Sequence, residues 1–365
     1  SGLVQTVVCN YGHSPQELEA HQEIGEFSQV ERGSEISTYL KQCQSIQAPH
    51  RLSLEKAKII QSQAKIEGPE IFRTKCLELL MKYHECISAD KYDLGMTNFM
   101  KHDIKLKDNL PVHLKQHRIP WEHQEFLNDY VDELLKLGCI QASRSPYNAP
   151  IFCIKKPHGN GLRVVQDFRQ LNEKTLQDKY IIREVADCID TIGQRGSKVF
   201  SALDLTSGFW QQQLTDRSRA YTAFTIPGRG RFEWVSMPMG LHGAPSSFAR
   251  MMDSIMEGAE GVITYIDDLL VHSPDHVQHL RDLEGCLSRL SKHGLKLNLP
   301  KCIFSGNKIP YLGFTLSADG IQPGDDKLKA VRDFPTPTGI KQIREFVGLV
   351  RSEERRVGKE CATGC

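Results

Sequence analysis

The chain has 365 residues, of which 39% are hydrophobic and 25% charged, so its length argues for two or three units and its composition excludes a wholly disordered polymer. The 46 basic and 45 acidic residues leave a net charge of +1, so bulk charge does not mark a nucleic-acid binder, and any such role must rest on local clusters. A continuous apolar run of about 18 residues, as a spanning helix needs, is absent. The opening SGLVQTVVCNYGHSPQ has no basic segment followed by an apolar one, so no secretory leader is expected. The 11 cysteines are odd in number and include no C-x-x-C, which points to reduced thiols in a cytosolic or nuclear protein.

Residues 1–50 carry six acidic residues against Arg32 and Lys41, with little periodicity, and read as a polar leader. Helical spacing begins with Leu54, Ala57 and Ile60. It resumes in Ile71, Cys76, Leu79, Leu80 and Tyr83 after a break at Gly68-Pro69. Residues 1–105 as a whole are expected to be a partly helical linker. Pro120 opens an amphipathic helix in which Phe126, Tyr130 and Leu134, and Leu127, Val131 and Leu135, stack at i, i+4, i+8 until Gly138. Short apolar runs predict strands over 150–155, 163–168 and 198–205. A helix after Pro245 should bury Phe248, Met252 and Ile255. Another, over 277–293, should align Val277, Leu280, Leu283, Leu287 and Leu290 and stop at Gly294. Strands and helices alternate irregularly, which predicts an α+β fold. The last residues, RSEERRVGKECATGC, continue no pattern; 351–361 resemble a translated sequencing adapter, and 351–365 are left out of the fold as an artefactual or disordered tail.

The segment GVITYIDDLLVHS, residues 261–273, places Asp267 and Asp268 between two apolar stretches of strand length, near the turn of a hairpin. No Lys or Arg occurs nearby in sequence, so the adjacent carboxylates either raise a pKa or demand a cation. Aspartates also favour turns for purely local reasons. Asp204 ends the run KVFSALD, and taken alone it reads as a helix N-cap before Ser207-Gly208. If its strand lies beside the hairpin, three carboxylates form a site for two hard divalent cations. Such ions stabilise the attacking and leaving oxygens of an in-line phosphoryl displacement.

Seven stretches carry a resemblance. They are SRSPYNAPIFCIKK (143–156), RVVQDFRQLNEKT (163–175), FSALDLTSGFWQQQL (200–214), MPMGLHGAPSSFARMMD (237–253), YIDDLLVHS (265–273), GLKLNLPKC (294–302) and YLGFTLSADGI (311–321). In order and spacing, the run over about 106–350 resembles the reverse transcriptase of gypsy-type LTR retrotransposons. The resemblance implies a right hand, with fingers and palm over 106–316 and the start of a thumb or connection over 317–350. It implies an RNA-directed DNA polymerase, a nucleotidyltransferase using two Mg²⁺ ions, or Mn²⁺. The partners implied are an RNA or DNA template with primer, deoxynucleoside triphosphates, no membrane, and the rest of a Gag-Pol polyprotein. Its place would be the cytoplasm, inside a virus-like particle, or the nucleus.

By the same resemblance, Asp204, Asp267 and Asp268 hold the metals. Lys156 and Arg163 hold the triphosphate, the guanidinium being suited to bidentate contact. Phe209 excludes a sugar 2′-hydroxyl, Met239 and Gly240 line the nucleotide pocket, and Lys301 protonates the departing pyrophosphate. Tyr311 to Phe314 resemble the hairpin that grips the primer. Gln166 stands where the family often has an apolar residue, and if inward it needs a hydrogen-bond partner. No D-T-G or D-S-G protease motif occurs; Asp190-Thr191-Ile192-Gly193 does not replace it. The chain reads as a fragment of a longer polyprotein. The competing expectation is therefore an inactive, truncated element that binds nucleic acid without polymerising.

Overall fold

Ser53 starts the first helix, α1 (Leu54–Gln63), by accepting the Lys56 amide at its hydroxyl, 3.1 Å away. The computed structural model describes residues 53–155, 161–178, 180–324, 329 and 332–350. After α1 come β1 (Lys65–Ile66), α2 (Glu70–Lys82), β2 (Thr97–His102), α3 (Trp121–Lys136) and β3 (Ile140–Ala142). A hairpin of β4 (Ile151–Lys155) and β5 (Leu162–Gln166) leads to α4 (Arg169–Lys174), α5 (Val185–Gln194) and β6 (Val199–Asp204). Then follow α6 (Gly208–Gln211), β7 (Gln212–Leu214), α7 (Asp216–Arg219), β8 (Phe224–Ile226) and β9 (Gly230–Trp234). The C-terminal part holds α8 (Ala244–Ile255), β10 (Val262–Tyr265), β11 (Asp268–Ser273) and α9 (His276–Lys292). Beyond them lie β12 (Ile303–Phe304), β13 (Lys308–Tyr311), β14 (Phe314–Ser317), β15 (Gly320–Pro323) and α10 (Ile340–Val350).

The sheet that positions the carboxylates runs β1-β12-β6-β11-β10. Its centre is β6, antiparallel to β11 from Val199↔Ser273 to Asp204↔Asp268. Side-chain alternation gives each face its own core. Leu203, Leu269 and Val271 pack with Phe248, Met252 and Ile255 of α8 and with Leu283, Leu287 and Leu290 of α9. Phe200, Ile263 and Leu270 pack with Cys188 and Ile192 of α5 and with Ile309, Tyr311 and Leu316 of the β13-β14-β15 sheet. Burial on both faces explains why these strands read as continuous apolar runs.

The helices form where periodicity places them, but their buried stripes are narrower. In α3 the buried residues are Leu127, Val131 and Leu134, while Phe126 and Leu135 are exposed. In α9, Val277 is 66% exposed because it sits in the first turn, where Asp275 caps the amides of Val277 and Gln278 and the chain has just left the sheet. Leu54 and Ile71 are exposed for the same end-of-helix reason.

The described part of the expected linker, residues 53–105, is partly helical and packs into the core. A compact unit begins at Leu52, so within the described residues no boundary falls at 105. β1 pairs in parallel with β12, and Ile60, Phe72, Cys76 and Leu80 enter the main core. Lys296 and Asp93 pair across 203 residues of sequence. Weak hydrophobic patterning hid this, because these helices bury only one to three side chains each. The remainder of the expected linker, Lys156, residues 325–328, 330 and 331 of the expected thumb, and the 351–365 tail lie outside the described residues.

Gln166 does point inward, and it is satisfied. Its Nε2 donates to the Thr222 carbonyl at 2.9 Å, and its Oε1 accepts the Trp234 indole N–H at 2.8 Å. Replacing Gln166 with Leu strands both partners in a buried site. The expected loss is about 1–3 kcal/mol, read as a lower urea midpoint at unchanged slope. An unchanged midpoint would show that neither group depends on Gln166.

Candidate active site

Asp204 is the last residue of β6, and its backbone faces away from β11. Its N–H points to Cys302 Sγ at 3.4 Å, and its carbonyl accepts the Asn298 amide at 2.8 Å. Asp204↔Asp268 is therefore a non-hydrogen-bonded antiparallel pair, the narrow kind, with Cα atoms about 4.5 Å apart. Like charges directly opposite in this way destabilise a sheet unless something neutralises them. Asp204 caps no helix; Ser207, at φ 47°, precedes α6 instead.

Asp267 occupies the two-residue turn between Tyr265 and Asp268, which are paired. Its neighbour Ile266 holds φ at 57°, a left-handed conformation that a β-branched residue rarely adopts. That backbone takes the place of the glycine such a turn prefers. The start of α6 abuts the turn: a Cβ added to Gly208 would lie 3.4 Å from the Asp267 Cβ and 3.3 Å from Phe248. Phe209, next in sequence, is half-buried, with its ring edge-on to Phe248 at 5.3 Å.

A cation does arrive, from far along the chain. Lys301 Nζ lies 3.3 Å from Asp204 Oδ2, an ion contact without hydrogen-bond geometry, and this buried oxygen has no hydrogen-bond partner. Partial desolvation raises both Asp267 and Asp268, and neighbouring carboxylates add to it: Asp204 for Asp267, Asp267 and Asp204 for Asp268. The Asp268 carboxyl is pushed up to about 6. Solvent reaches both side chains, so screening trims the effect, while the direction follows from the crowded like charges.

These residues suit a hard cation: carboxylate oxygens only, one of them unpartnered, under mutual repulsion. Among the described residues, no group of three His, Cys, Asp or Glu side chains forms a finished metal cage. Mg²⁺ is a hard cation that takes few carboxylates and completes its shell with water and phosphate oxygens.

The fingers-side candidates are brought together in part. Arg163 of β5 pairs with Ile154 of β4, and its Nη2 lies 3.6 Å from Met239 Sδ. Met239 is 51% exposed. Gly240 has φ 94°, and its carbonyl accepts Asn172 Nδ2 at 2.9 Å, while Asn172 Oδ1 accepts the His242 amide. A Cβ at Gly240 would meet Phe168 at an ordinary 3.5 Å, so backbone conformation rather than space calls for glycine. Asp167 accepts three hydrogen bonds from Arg169, two from the guanidinium at 2.9 and 2.7 Å and one from the backbone amide at 3.1 Å. Tyr311 is buried with its hydroxyl unpartnered, and the turn after it uses left-handed Leu312 and Gly313. Sequence reasoning missed Cys302 and Asn172, which hold Asp204 and Gly240 by their backbones. Both lie inside the motifs GLKLNLPKC and RVVQDFRQLNEKT, and only their contacts distinguish them.

Residues 154–316 match the family described as reverse transcriptase (RNA-dependent DNA polymerase). Among solved structures, the chain is similar to a foamy viral protease-reverse transcriptase in complex with double-stranded DNA. The TM-score is 0.68 at 23% identity, covering 82% of this chain and 61% of that one. Another foamy viral protease-reverse transcriptase, in complex with an RNA/DNA hybrid, gives 0.66. The fold is thus the α+β right hand of reverse transcriptases.

Among curated proteins, it is 34% identical over 286 residues to the retrovirus-related Pol polyprotein from transposon 297 of Drosophila melanogaster, covering 77% of this chain. It is 36% identical over 262 residues to that from transposon opus, covering 70%. The cauliflower mosaic virus enzymatic polyprotein (strain NY8153) is 32% identical over 310 residues, covering 81% of this chain and 45% of that one. The chain belongs with the reverse transcriptases of gypsy-type retrotransposons. It spans 26% of the length of the Pol polyproteins from transposons 297 and opus.

Because Asp268 is raised from 3.8 to about 6, the metal-free fold holds its proton more tightly than the unfolded chain does. The stability it contributes is full below 3.8 and is lost as pH rises through about 6. A bound cation favours the carboxylate, so Mn²⁺ affinity should climb over the same window. Titration calorimetry across that window should show the rise in the native chain and a flatter response in Asp268→Asn; identical profiles would refute the assignment.

Proposed function

We propose that the chain is an RNA-directed DNA polymerase. It extends a primer 3′-hydroxyl with deoxynucleoside triphosphates on an RNA or DNA template. The observation that carries this is the in-register Asp204–Asp268 pair with Asp267 in the adjoining turn, on an edge that solvent reaches. Residues 106–316 act as fingers and palm, and 317–350 begin the thumb.

Asp204, Asp267 and Asp268 would hold two Mg²⁺ ions. When bound, these supply charge neutralisation for the 3′-oxygen attacking the α-phosphorus and for the departing pyrophosphate. Asp204 and Asp268 are fixed by the ladder, so their oxygens need little reorganisation when phosphates arrive. Arg163, beside Met239, directs its guanidinium charge to the triphosphate, and Lys156 would share that task. Phe209, buttressed by Phe248, forms a wall against a 2′-hydroxyl. Gly240 presents backbone to the nucleotide, held by Asn172. Lys301 is the counter-charge of Asp204 in the free protein, and it would donate a proton to the departing pyrophosphate. Template and primer bind through phosphates, with steep salt dependence, and base pairing selects the nucleotide. The working context is a cytoplasmic or nuclear Gag-Pol particle.

Primer extension on an RNA template with Mg²⁺ or Mn²⁺ tests the reading. The native chain should extend, and Asp267→Asn should lose at least about 10²-fold in rate while still binding duplex. Duplex binding without extension by the native chain would instead favour the inactive, truncated element. Phe209→Ala should raise ribonucleotide incorporation by about tenfold or more relative to deoxynucleotides, scored as the ratio of kcat/KM values. An unchanged ratio would leave Phe209 a packing residue.

A further inference from the structure

Asp253 lies in α8, apart from the three aspartates, and the polymerase chemistry above gives it no task. Three side chains, from β10 and from the segment 180–183, nevertheless converge on its carboxylate, which is 23% exposed. Thr264 of β10 donates its hydroxyl to Oδ1. Tyr180 donates its phenol to Oδ2 at 2.5 Å, and Arg183 Nη2 stands 3.8 Å from Oδ1. Three residues earlier on the helix, Arg250 pairs with Asp178 at 2.6 Å, and its guanidinium lies 5.0 Å from the centre of the Tyr180 ring. Burial, with help from Asp253, pushes the Tyr180 phenol up to about 12, so it stays a donor at neutral pH.

The position of Thr264 gives the cluster its meaning. β10 is the edge of the five-stranded sheet, paired on one side only. Apolar packing of Val262 and Ile263 holds such a strand against the core but resists sliding weakly, since contacts between smooth side chains are not directional. A hydroxyl–carboxylate bond is directional. Thr264 is 5% exposed and sits two residues before Ile266, whose strained backbone forms the turn that carries Asp267.

We propose that Asp253 is a positioning residue: it locks β10, and through it the Asp267 turn, to the segment 180–183 that precedes α5. This rests on the polymerase reading. Two hydrogen bonds and one ion contact to a single carboxylate on α8 hold the edge strand at the height where Asp267 faces Asp204 and Asp268. The strand–helix tie, and not the ladder alone, then sets the spacing of the catalytic carboxylates.

The test uses the full chain, with Thr264→Val, Thr264→Ser, Tyr180→Phe, and Tyr180→Phe combined with Thr264→Val. Single-turnover extension, deoxynucleotide KM, duplex affinity and Tm are measured for each. Thr264→Val should lower kcat about tenfold, with KM and duplex affinity within about twofold. Thr264→Ser, which keeps the hydroxyl, should restore most of the rate. The double variant should lose less than the product of the single losses, since both act through one carboxylate. Native kcat in Thr264→Val and Tyr180→Phe, with only Tm lowered, would overturn the proposal. Should the native chain not extend primers, the polymerase reading fails separately. Mn²⁺ titration then decides this one: a several-fold weaker affinity in Thr264→Val upholds it, and an unchanged affinity overturns it.

Discussion

The site depends on one unfavourable juxtaposition, the register that sets Asp204 directly opposite Asp268 across a narrow antiparallel pair. A sheet selected for stability alone would avoid it. It persists because the rest of the sheet leaves no alternative. The pairs from Val199↔Ser273 to Leu203↔Leu269 are buried apart from half-buried Ala202, and a one-residue slip would turn both apolar sets to the wrong faces. The cores on the two faces thereby force the carboxylates together. The repulsion is what makes the end of the sheet a place where a cation is welcome.

Two of the strained backbone positions flank the same point, and two brace the sheet elsewhere. Among the described residues, the non-glycine positions in the left-handed region are Ser207, Ile266, Ser305 and Leu312. Ser207 follows Asp204 by three residues, and Ile266 immediately precedes Asp267. Leu312 turns the hairpin after buried Tyr311, and Ser305 follows β12, the strand beside β6. Each conformation costs of order 1–3 kcal/mol, so the surrounding packing must over-determine it. Ser305 is held on two sides: its amide donates to Ser201 Oγ at 2.9 Å, and its hydroxyl bonds His276 Nε2 at 3.1 Å. The buried hydroxyl and imidazole groups under the sheet, Ser201, Ser273 and His279, continue that bracing. Burial lowers His279 to about 3, so it stays neutral and the network carries no buried positive charge there.

Local patterns were legible wherever a residue's role is decided by its neighbours in sequence. The 3.6-residue period located α3, α8 and α9, and the apolar runs located β4, β5 and β6, with ends shifted by a residue or two. Stripe width was not legible. Val277 and Leu135 fit the period, yet they point past the edge of the partner surface, which only the packed helix defines. The packing of the segment from 53 to 105 was not legible because its helices each offer few apolar residues to a core built mostly from distant strands.

For the site, the residue types and order determined the chemistry. Adjacent carboxylates without a nearby base, together with a third at a strand end, could be read from the linear chain because charge and strand propensity are local properties. Tertiary structure alone decided which groups share a volume. It brought Lys301 to Asp204 and Cys302 behind it, gave Gln166 the Trp234 indole, and joined Tyr180 and Thr264 at Asp253. Those pairings span tens to about a hundred residues, and nothing local encodes them. They follow from which strands pair and in what register, an outcome of burying apolar surface across the whole fold.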